Sequence, residues 1–296
     1  MITAQPGILL PIPQHARYLS FALGDVAQIA AALAALRELA DGENTVVGFG
    51  QSLASALGAK IAGLKSLPQI TAPGLSIEAA PEVLWLWLRG DDRGELLHRS
   101  RKITCALAPA FTLHDIVDAF KYAEGRDLSG FEDGTENPVG EAAIDAAIVG
   151  PDSPLAGSSF VATQRWRHNF DCFEALSQHA KDNAIGRRQC DNEELDDAPT
   201  CAHVKRTAQE SFSPEAFVLR RSMPWAEGND GGLLFVAFGH SFDAFEAQLK
   251  RMVGREDGVS DALFTFTQPV SGAYYWCPAL KDGKLELAPL GVFPDR

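Results

Sequence analysis

The sequence lacks the features that would place it in a membrane, in a disulfide-bonded class or on nucleic acid. No apolar run in its 296 residues approaches the roughly 18 residues that span a bilayer. The five cysteines form an odd-numbered set without any CxxC pair, which predicts free thiols and no structural zinc site. Lys and Arg number 26 against 39 Asp and Glu, so the net charge of −13 repels phosphate backbones and anionic lipid. We therefore expect neither nucleic acid nor a membrane as a partner.

Several common signals and enzyme motifs are missing as well. The start of the chain has no basic segment followed by an apolar stretch, so we read no secretory signal and expect a cytoplasmic protein. The stretch VVGFGQSLASALG comes close to a dinucleotide fingerprint, but Leu53 stands where Gly or Ala is required. The sequence has no P-loop, HExxH helix or GxSxG elbow either. Familiar hydrolase chemistry is therefore not expected.

The chain does contain two halves with a similar order of predicted elements. Apolar residues make up 46% of the sequence and charged residues 22%, as in ordinary folded proteins. The predicted strands are 17–23, 45–50, 83–89, 159–168, 216–223 and 233–239, and the predicted helices are 25–40, 92–107, 170–180 and 241–253. VLWLWLRGDDRGELLHRSRKI in the first half corresponds to LLFVAFGHSFDAFEAQLKRMV in the second. The repeat predicts two α+β units, with residues 1–148 in one and 149–296 in the other.

Two polar segments are predicted to be loops, at 125–158 and 182–200. The acidic run DNEELDD in the second is expected to be a solvated surface. The first contains GRDLSGFEDGTENP, residues 125–138, which we call the acidic loop. An ordinary turn could explain it, with Asp133-Gly134 forming the bend and Asn137-Pro138 ending it. The same loop resembles the GxxDG motif of the dye-decolorizing peroxidases, here residues 130–134, followed by TENP.

Other segments resemble the same family in the expected order. AHVKR is similar to the segment with the proximal haem ligand, which implies that His203 binds the haem iron, although a lone histidine is more often a core or surface residue. LRRSMPW is similar to the strand with the distal arginine, which implies Arg220. Alternation along a strand would place Ser222 on the same face. Many relatives carry Asn where this chain has Ser222, so its contact with peroxide could run through water.

The resemblance also implies partners for the haem. DALFTFTQPVSGAYYWCP is similar to the closing strand of the family, and its Asp261 could accept a hydrogen bond from the far nitrogen of His203. IGR is similar to family sequence too, and Arg187 could meet a haem propionate. Arg206 is an equal candidate for that contact. The choice between these two arginines stays open at this point.

The resemblance covers about residues 17–293 and implies a fold, a cofactor and a reaction. The fold is α+β, with duplicated ferredoxin-like units of antiparallel sheets and packed helices, in the dimeric α+β barrel superfamily. The cofactor is haem b, held in the second unit. The reaction uses hydrogen peroxide to oxidise dyes, phenolics or other one-electron donors through an oxo-iron(IV) intermediate. Asp133 would move the proton and Arg220 would stabilise the separating charge.

Alternatives and partners follow from the same resemblance. The rival function is haem handling, in which iron is released and the porphyrin stays whole. A scaffold without cofactor would leave His203, Arg220 and Asp133 without a purpose. A homo-oligomer is expected, whereas the C-terminal LAPLGVFPDR shows no extension of the kind that addresses relatives to encapsulin shells. A surface aromatic could relay electrons, although strand aromatics are more often core; the candidates are Trp166, Trp225, Tyr274, Tyr275 and Trp276.

Overall fold

The computed structural model describes residues 1–69, 71–72, 75–80 and 83–293. Its strands are β1 (Ile2–Thr3), β2 (His15–Leu23), β3 (Thr45–Phe49), β4 (Thr71–Ala72), β5 (Leu75–Ser76), β6 (Glu78–Ala79), β7 (Leu84–Gly90), β8 (Phe111–Phe120), β9 (Ser159–His168), β10 (Leu219–Arg220), β11 (Met223–Glu227), β12 (Asp230–Gly239), β13 (Thr267–Cys277), β14 (Leu280–Lys281) and β15 (Lys284–Leu285).

The α-helices are α1 (Pro6–Leu9), α2 (Ile29–Leu39), α3 (Gln51–Ala56), α4 (Arg93–Leu107), α5 (Glu141–Ala147), α6 (Phe170–Ala175), α7 (Gln178–Ile185), α8 (His203–Arg206) and α9 (Asp243–Met252). Short 3₁₀ helices cover Val26–Gln28, Gln209–Ser211, Ala262–Thr265 and Ala288–Leu290. None of the helices in the described part of the chain has both the length and the apolar character needed to cross a bilayer.

The main sheet closes into a ring of antiparallel strands. In the first half the neighbours run β8-β2-β7-β3, and in the second half they run β11-β12-β9-β13. The two halves meet where Trp225 of β11 pairs with Ala119 of β8 and where Trp276 of β13 pairs with Phe49 of β3. The ring leaves few free strand edges, which are the part of a sheet most open to unwanted pairing.

Both halves arrange their four strands in the same way. In the first half, β2 lies between β7 and β8, and β3 lies beyond β7. In the second half, β9 lies between β12 and β13, and β11 lies beyond β12. Helices α2 and α4 connect the strand pairs of the first half, and α6 to α8 and α9 connect those of the second. This order is the ferredoxin-like arrangement, so the predicted α+β fold of duplicated units is confirmed. The predicted boundary between residues 148 and 149 stays a prediction.

Strand β7 shows why the sequence of the ring is apolar on both faces. Leu84, Leu86 and Leu88 join the core beneath the helices, whereas Trp85 and Trp87 join a second core with side chains from the other strands of the ring. Successive side chains of a strand point to opposite faces, so a strand that is covered on both sides reads as a continuous apolar run. The second core fills the inside of the ring.

The structure differs from the predicted elements at four places. The helix predicted at 170–180 is two helices, because Ser177 starts α7 by accepting a hydrogen bond from Ala180 N at 3.2 Å. The strand predicted at 216–223 is reduced to β10, and the chain leaves the strand conformation before β11. The segment predicted as a loop at 125–158 contains α5, and β8 lies where no element was predicted.

Candidate functional site

A cavity of about 270 Å³ lies between the acidic loop and the strands and helices of the second half of the chain. The acidic loop forms one wall, and α8 and α9 form another. The floor is the sheet face of β9 and β12, which contributes Gln164, Trp166, Leu233 and Phe235. These residues lie two apart on their strands, so their side chains share one face. The cavity is therefore mostly apolar, with polar groups entering it from the loop and from the helices.

His203 begins α8 and lines the cavity. Its Nδ1 lies 2.8 Å from Oδ2 of Asp261, whose side chain is fully buried. The other carboxylate oxygen of Asp261 accepts a hydrogen bond from Leu263 N at 2.8 Å, which caps the 3₁₀ helix Ala262–Thr265. Asp261 thus holds the proton of His203 on Nδ1 and leaves the lone pair of Nε2 free to bind a metal. Among the described residues, Nε2 has no hydrogen-bond partner.

A glycine fixes the approach of two helices beside His203. Gly186 ends α7 in the left-handed conformation, with φ of +93°. A Cβ atom at this position would lie 2.3 Å from Cγ2 of Val204. Both the backbone conformation and the close contact therefore require glycine. The next residue along the chain, Arg187, lines the cavity.

Asp133 and Arg220 form an ion pair in the same cavity. Nη1 of Arg220 lies 3.2 Å from Oδ1 of Asp133, and the two side chains are 22% and 19% exposed. Asn137 connects their segments, because its Oδ1 accepts from Arg220 N at 2.7 Å and its Nδ2 donates to Arg220 O at 3.0 Å. The acidic loop is thus attached to β10 at the position of the arginine. The sequence predicts for Asn137 only the end of a turn, and no pattern in the sequence indicates this contact.

The structure does not bring Ser222 into the cavity. Its side chain is buried, and Oγ accepts a hydrogen bond from Val236 N at 3.3 Å. The strand is interrupted after Arg220, so the alternation that would place both side chains on one face is lost. Ser222 is not among the residues that line the cavity. The contact of Ser222 with peroxide stays a prediction.

The two candidate arginines have different surroundings. Arg187 lines the cavity, and its Nη2 lies 2.5 Å from Glu136 and 3.2 Å from Glu194. Arg206 does not line it: both of its terminal nitrogens donate to Asp257 at 2.7 Å, and Nη2 also donates to Arg251 O at 2.8 Å. The guanidinium of Arg206 is thus occupied by another carboxylate, and its role in cofactor binding stays a prediction.

The five aromatic residues that could have formed a surface relay are all buried: Trp166, Trp225, Tyr274, Tyr275 and Trp276. The core interpretation of these residues is therefore the correct one. Trp166 lines the cavity and stacks on Phe264 at 5.7 Å between ring centroids. Its Nε1 donates to Oε1 of Gln164 at 3.2 Å.

A second acid and imidazole pair borders the cavity, and no sequence motif predicts it. Nε2 of His168 lies 2.9 Å from Oδ1 of Asp127. Asp127 belongs to the acidic loop, but His168 lies at the end of β9 in a segment without any motif that marks it. No sequence signal connected the two residues before the structure placed them together.

The residues of the cavity fit a haem group better than a bare metal ion. No cluster of three or more His, Cys, Asp or Glu side chains that could hold an ion occurs among the residues with described positions. A single free imidazole nitrogen suits an iron whose other ligands come from a macrocycle. The apolar walls suit the porphyrin, and Arg187 offers a cation for a carboxylate.

The chain is similar to known proteins of one family. Residues 124–282 match the family model described as "Dyp-type peroxidase, C-terminal". The chain is 32% identical over 248 residues to the dye-decolorizing peroxidase of Rhodococcus erythropolis, covering 81% of this chain and 73% of the relative. It is 30% identical over 230 residues to that of Mycolicibacterium paratuberculosis, covering 75% of this chain and 65% of the relative, which is less than two thirds.

Solved structures give the same result. A dye-decolorizing protein from V. cholerae superposes with a TM-score of 0.84 at 29% identity, covering 92% of this chain and 96% of that one. A variant of Rhodococcus jostii RHA1 DypB in complex with heme superposes with a TM-score of 0.83 at 26% identity, covering 92% and 94%. The family match begins at residue 124 and includes the acidic loop, Arg220 and His203. The chain therefore belongs to the Dyp-type, or dye-decolorizing, peroxidase family.

Proposed function

We propose that this chain binds haem b through His203 and uses hydrogen peroxide to oxidise dyes, phenolics or other small one-electron donors. Bound haem supplies an iron centre that takes two oxidising equivalents from peroxide and passes them on singly. Overall, two donor molecules provide two electrons, and peroxide takes up these electrons and two protons from the solution to become two water molecules. The observation that carries the proposal is that one cavity contains both the free Nε2 of His203 and the Asp133–Arg220 pair.

His203 and Asp261 form the proximal part of the site. Nε2 of His203 is the atom that binds the metal, and the hydrogen bond from Nδ1 to Asp261 fixes the ring and its tautomer. An anionic acceptor gives the imidazole more electron density. It therefore favours higher oxidation states of the bound metal and lowers the reduction potential.

Asp133 and Arg220 act on the peroxide. Cleavage of the O–O bond needs a proton moved from one oxygen to the other and a positive charge beside the departing hydroxide. The Asp133 carboxylate accepts the first proton and returns it to the leaving oxygen. The Arg220 guanidinium stabilises the negative charge that develops there. Their ion pair keeps both groups at one place in the cavity before peroxide arrives.

Arg187 contacts a carboxylate of the cofactor in this proposal. Its guanidinium lines the cavity and is 12% exposed, and it already lies between Glu136 and Glu194. A cation at this place compensates the negative charge that a propionate brings near two glutamates.

Replacing Arg206 with methionine is expected to lower the free energy of unfolding and to leave the haem content unchanged. Its hydrogen bonds lower the pKa of Asp257 to about 2. Because that folded-state pKa is depressed, the contribution of the pair is present above the ordinary Asp pKa of about 4 and is lost as pH falls toward 2. Denaturant unfolding between pH 2 and 7 measures the free energy of unfolding and its pH dependence, and absorbance measures the haem content. An Arg206→Met variant that loses haem at unchanged stability contradicts the proposal that Arg206 stabilises the fold through Asp257 and does not bind haem.

The experiment that tests the proposed function uses protein expressed with adequate haem supply. The holoprotein is expected to show a Soret band and to oxidise a dye at a rate that depends on peroxide concentration. Arg206→Met is the control, because this residue lies outside the cavity lining. A holoprotein with full haem content and no peroxide-dependent turnover overturns the proposal.

Incubating the holoprotein with a reductant and an iron chelator is expected to leave the haem intact. Asp133 and Arg220 form an ion pair suited to peroxide, and their charges are not arranged to protonate pyrrole nitrogens. Fluorescence of metal-free porphyrin is the measurement. Its appearance at a catalytic rate, together with no reaction toward peroxide, supports haem handling in place of peroxidase activity.

We further propose a cytoplasmic location, which is supported by the five cysteines, all of them free thiols in the structure. The homo-oligomer and the absence of an encapsulin partner stay predictions.

A further inference from the structure

The side chain of Asn137 is bonded to the backbone of Arg220 and has no part in the proposed reaction. Its Oδ1 accepts from Arg220 N at 2.7 Å, and its Nδ2 donates to Arg220 O at 3.0 Å. A backbone N–H only donates and a backbone carbonyl only accepts, so these partners determine which end of the amide is oxygen and which is nitrogen. Asn137 is not among the residues that line the cavity, so any effect on the reaction must pass through a neighbour.

The amide of Asn137 takes the place of a further strand at the edge of the sheet. Strand β10 lies at one end of the strand order, and among the described strands it pairs with β12. Arg220 stands opposite Ala237, and the following N–H, of Arg221, donates to Val236 O at 2.8 Å. In an antiparallel pair this pattern directs the N–H and C=O of Arg220 away from β12. Asn137 satisfies both groups as the peptide of a neighbouring strand would.

A second donor reaches the carbonyl of Arg220 but not its N–H. Nη1 of Arg221 donates to Arg220 O at 3.1 Å, and its other nitrogens donate to the backbone of α1, at Ile8 O and Leu9 O. Without the Asn137 amide, the carbonyl would keep this partner, whereas the N–H would lose its acceptor. A partly buried N–H without an acceptor is costly, so we expect the end of β10 to shift.

A turn of the acidic loop brings Asn137 to this place. Asn137 N donates to Gly134 O at 3.0 Å. Gly134 has a φ of +80°, and a Cβ atom there would lie 2.8 Å from Nδ2 of Asn137. The last glycine of the GxxDG motif therefore leaves room for the asparagine side chain. Asp133 directly precedes this turn, so the turn sets the distance along the chain between the Asp133 carboxylate and the Asn137 amide.

The acidic loop has other attachments that do not involve β10. Nδ2 of Asn192 donates at 2.9 Å to two side chains of the loop, at Glu132 Oε2 and Thr135 Oγ1. Within the loop, Asp133 N donates to Gly125 O at 3.1 Å. Loss of the Asn137 amide therefore frees the backbone of Arg220, whereas Asp133 keeps these attachments.

We propose that Asn137 is a positioning residue for Arg220, and that its amide fixes the end of β10 so that the guanidinium stays beside Asp133. The inference rests on the proposed function, because Arg220 has its role in the cleavage of peroxide. Nη1 of Arg220 lies 3.2 Å from Oδ1 of Asp133. A shift of the strand end moves the guanidinium away from the place where negative charge develops, and small displacements of such a group are costly.

A double-mutant cycle separates this role from a general effect on the fold. Asn137→Ala removes both hydrogen bonds and adds no charge. It is made in the parent and in Arg220→Leu, where the group that Asn137 positions is gone. Asn192→Gly is the matched control, because it removes the other asparagine amide that attaches the acidic loop, and Asn192 lies outside the cavity lining. Glycine readily adopts the φ of +62° found at this position.

The experiment measures the rate constant of the holoproteins with hydrogen peroxide by stopped flow. Asn137→Ala is expected to react about tenfold more slowly than the parent at unchanged haem content. Asn192→Gly is expected to stay within about twofold of the parent, and adding Asn137→Ala to Arg220→Leu is expected to change the rate by less than about twofold. Equal slowing by Asn137→Ala in both backgrounds overturns the inference. A single Asn137→Ala variant that reacts as fast as the parent overturns it as well.

Crystal structures make the test independent of the proposed function. In Asn137→Ala, we expect the distance between Asp133 Oδ1 and Arg220 Nη1 to increase from 3.2 Å, whereas Asn192→Gly keeps it. If the parent does not react with peroxide, the proposed function fails, and this distance still tests the positioning role. An unchanged distance in Asn137→Ala contradicts that role. If Asn137→Ala does not fold, Asn137→Ser replaces it in both experiments, since one hydroxyl cannot make both bonds in their present places.

Discussion

Replacing His203 with alanine is expected to abolish stable haem binding. Nε2 of His203 is a free imidazole nitrogen at the cavity, and Asp261 keeps it free to bind the iron by holding the proton on Nδ1. Apolar contacts with the porphyrin remain, so a small fraction of loosely held haem is expected. The haem content per chain and the position of the Soret band measure the effect.

A second histidine provides the control for this experiment. His179 lies exposed on α7 and outside the cavity lining, so His179→Ala is expected to keep the haem content and spectrum of the parent. Thermal unfolding of both variants shows whether the fold is preserved. If His203→Ala retains the parent's haem content and spectrum, His203 is not the ligand and the proximal assignment is wrong.

Replacing Arg220 with leucine is expected to slow the reaction with peroxide about a hundredfold, with the haem still bound. Cleavage leaves negative charge on one oxygen inside a partly closed cavity, where a fixed guanidinium acts without reorganisation. Removing such a donor costs on the order of 3 kcal/mol of transition-state stabilisation. Stopped-flow mixing with hydrogen peroxide measures the rate constant, and haem content shows that the effect is on the reaction.

Asp133→Asn is the matched comparison, because it removes the other member of the ion pair at nearly constant volume. Its effect is expected to be smaller than that of Arg220→Leu, because a water molecule can move the proton in its place. Arg220→Leu that reacts as fast as the parent, with full haem content, contradicts the role of the arginine. In that case Asp133 carries the main part of the reaction.

The chemistry of this site could be predicted where it depends on short local motifs. The acidic loop, His203 and Arg220 each lie in a segment whose residues resemble the family, and the structure brings all three to one cavity. The predicted contact between His203 and Asp261 is present at 2.8 Å. The proposed roles of these residues depend on their own side chains, so their types and their order along the chain already restrict what they can do.

Side-chain placement could not be predicted where local geometry or a distant partner decides it. Ser222 follows Arg220 by two positions, but the strand is interrupted between them, so the alternation rule does not apply. Arg206 lies one helical turn from His203 and looked equivalent to Arg187 in the sequence. Its position is set by Asp257, far along the chain, through two hydrogen bonds of 2.7 Å. A single sequence does not show such a pairing.

Strand β8 was missed for a related reason. Several of its central residues, including His114, Asp115 and Ile116, are partly or fully exposed, so the strand lacks the clean alternation on which sequence prediction depends. Its place in the sheet comes from pairing with β2 along most of its length. Tertiary pairing forms this strand, and the local pattern does not reveal it.

The most direct test of the peroxidase assignment is a titration of the resting holoprotein. One equivalent of hydrogen peroxide is added first, and a one-electron donor such as ferrocyanide is then added in steps while the visible spectrum is recorded. The account predicts that one equivalent of peroxide converts the resting spectrum and that two equivalents of donor restore it, with the haem content unchanged. A resting spectrum that peroxide leaves unaltered, or a loss of iron from the haem in place of recovery, would contradict it.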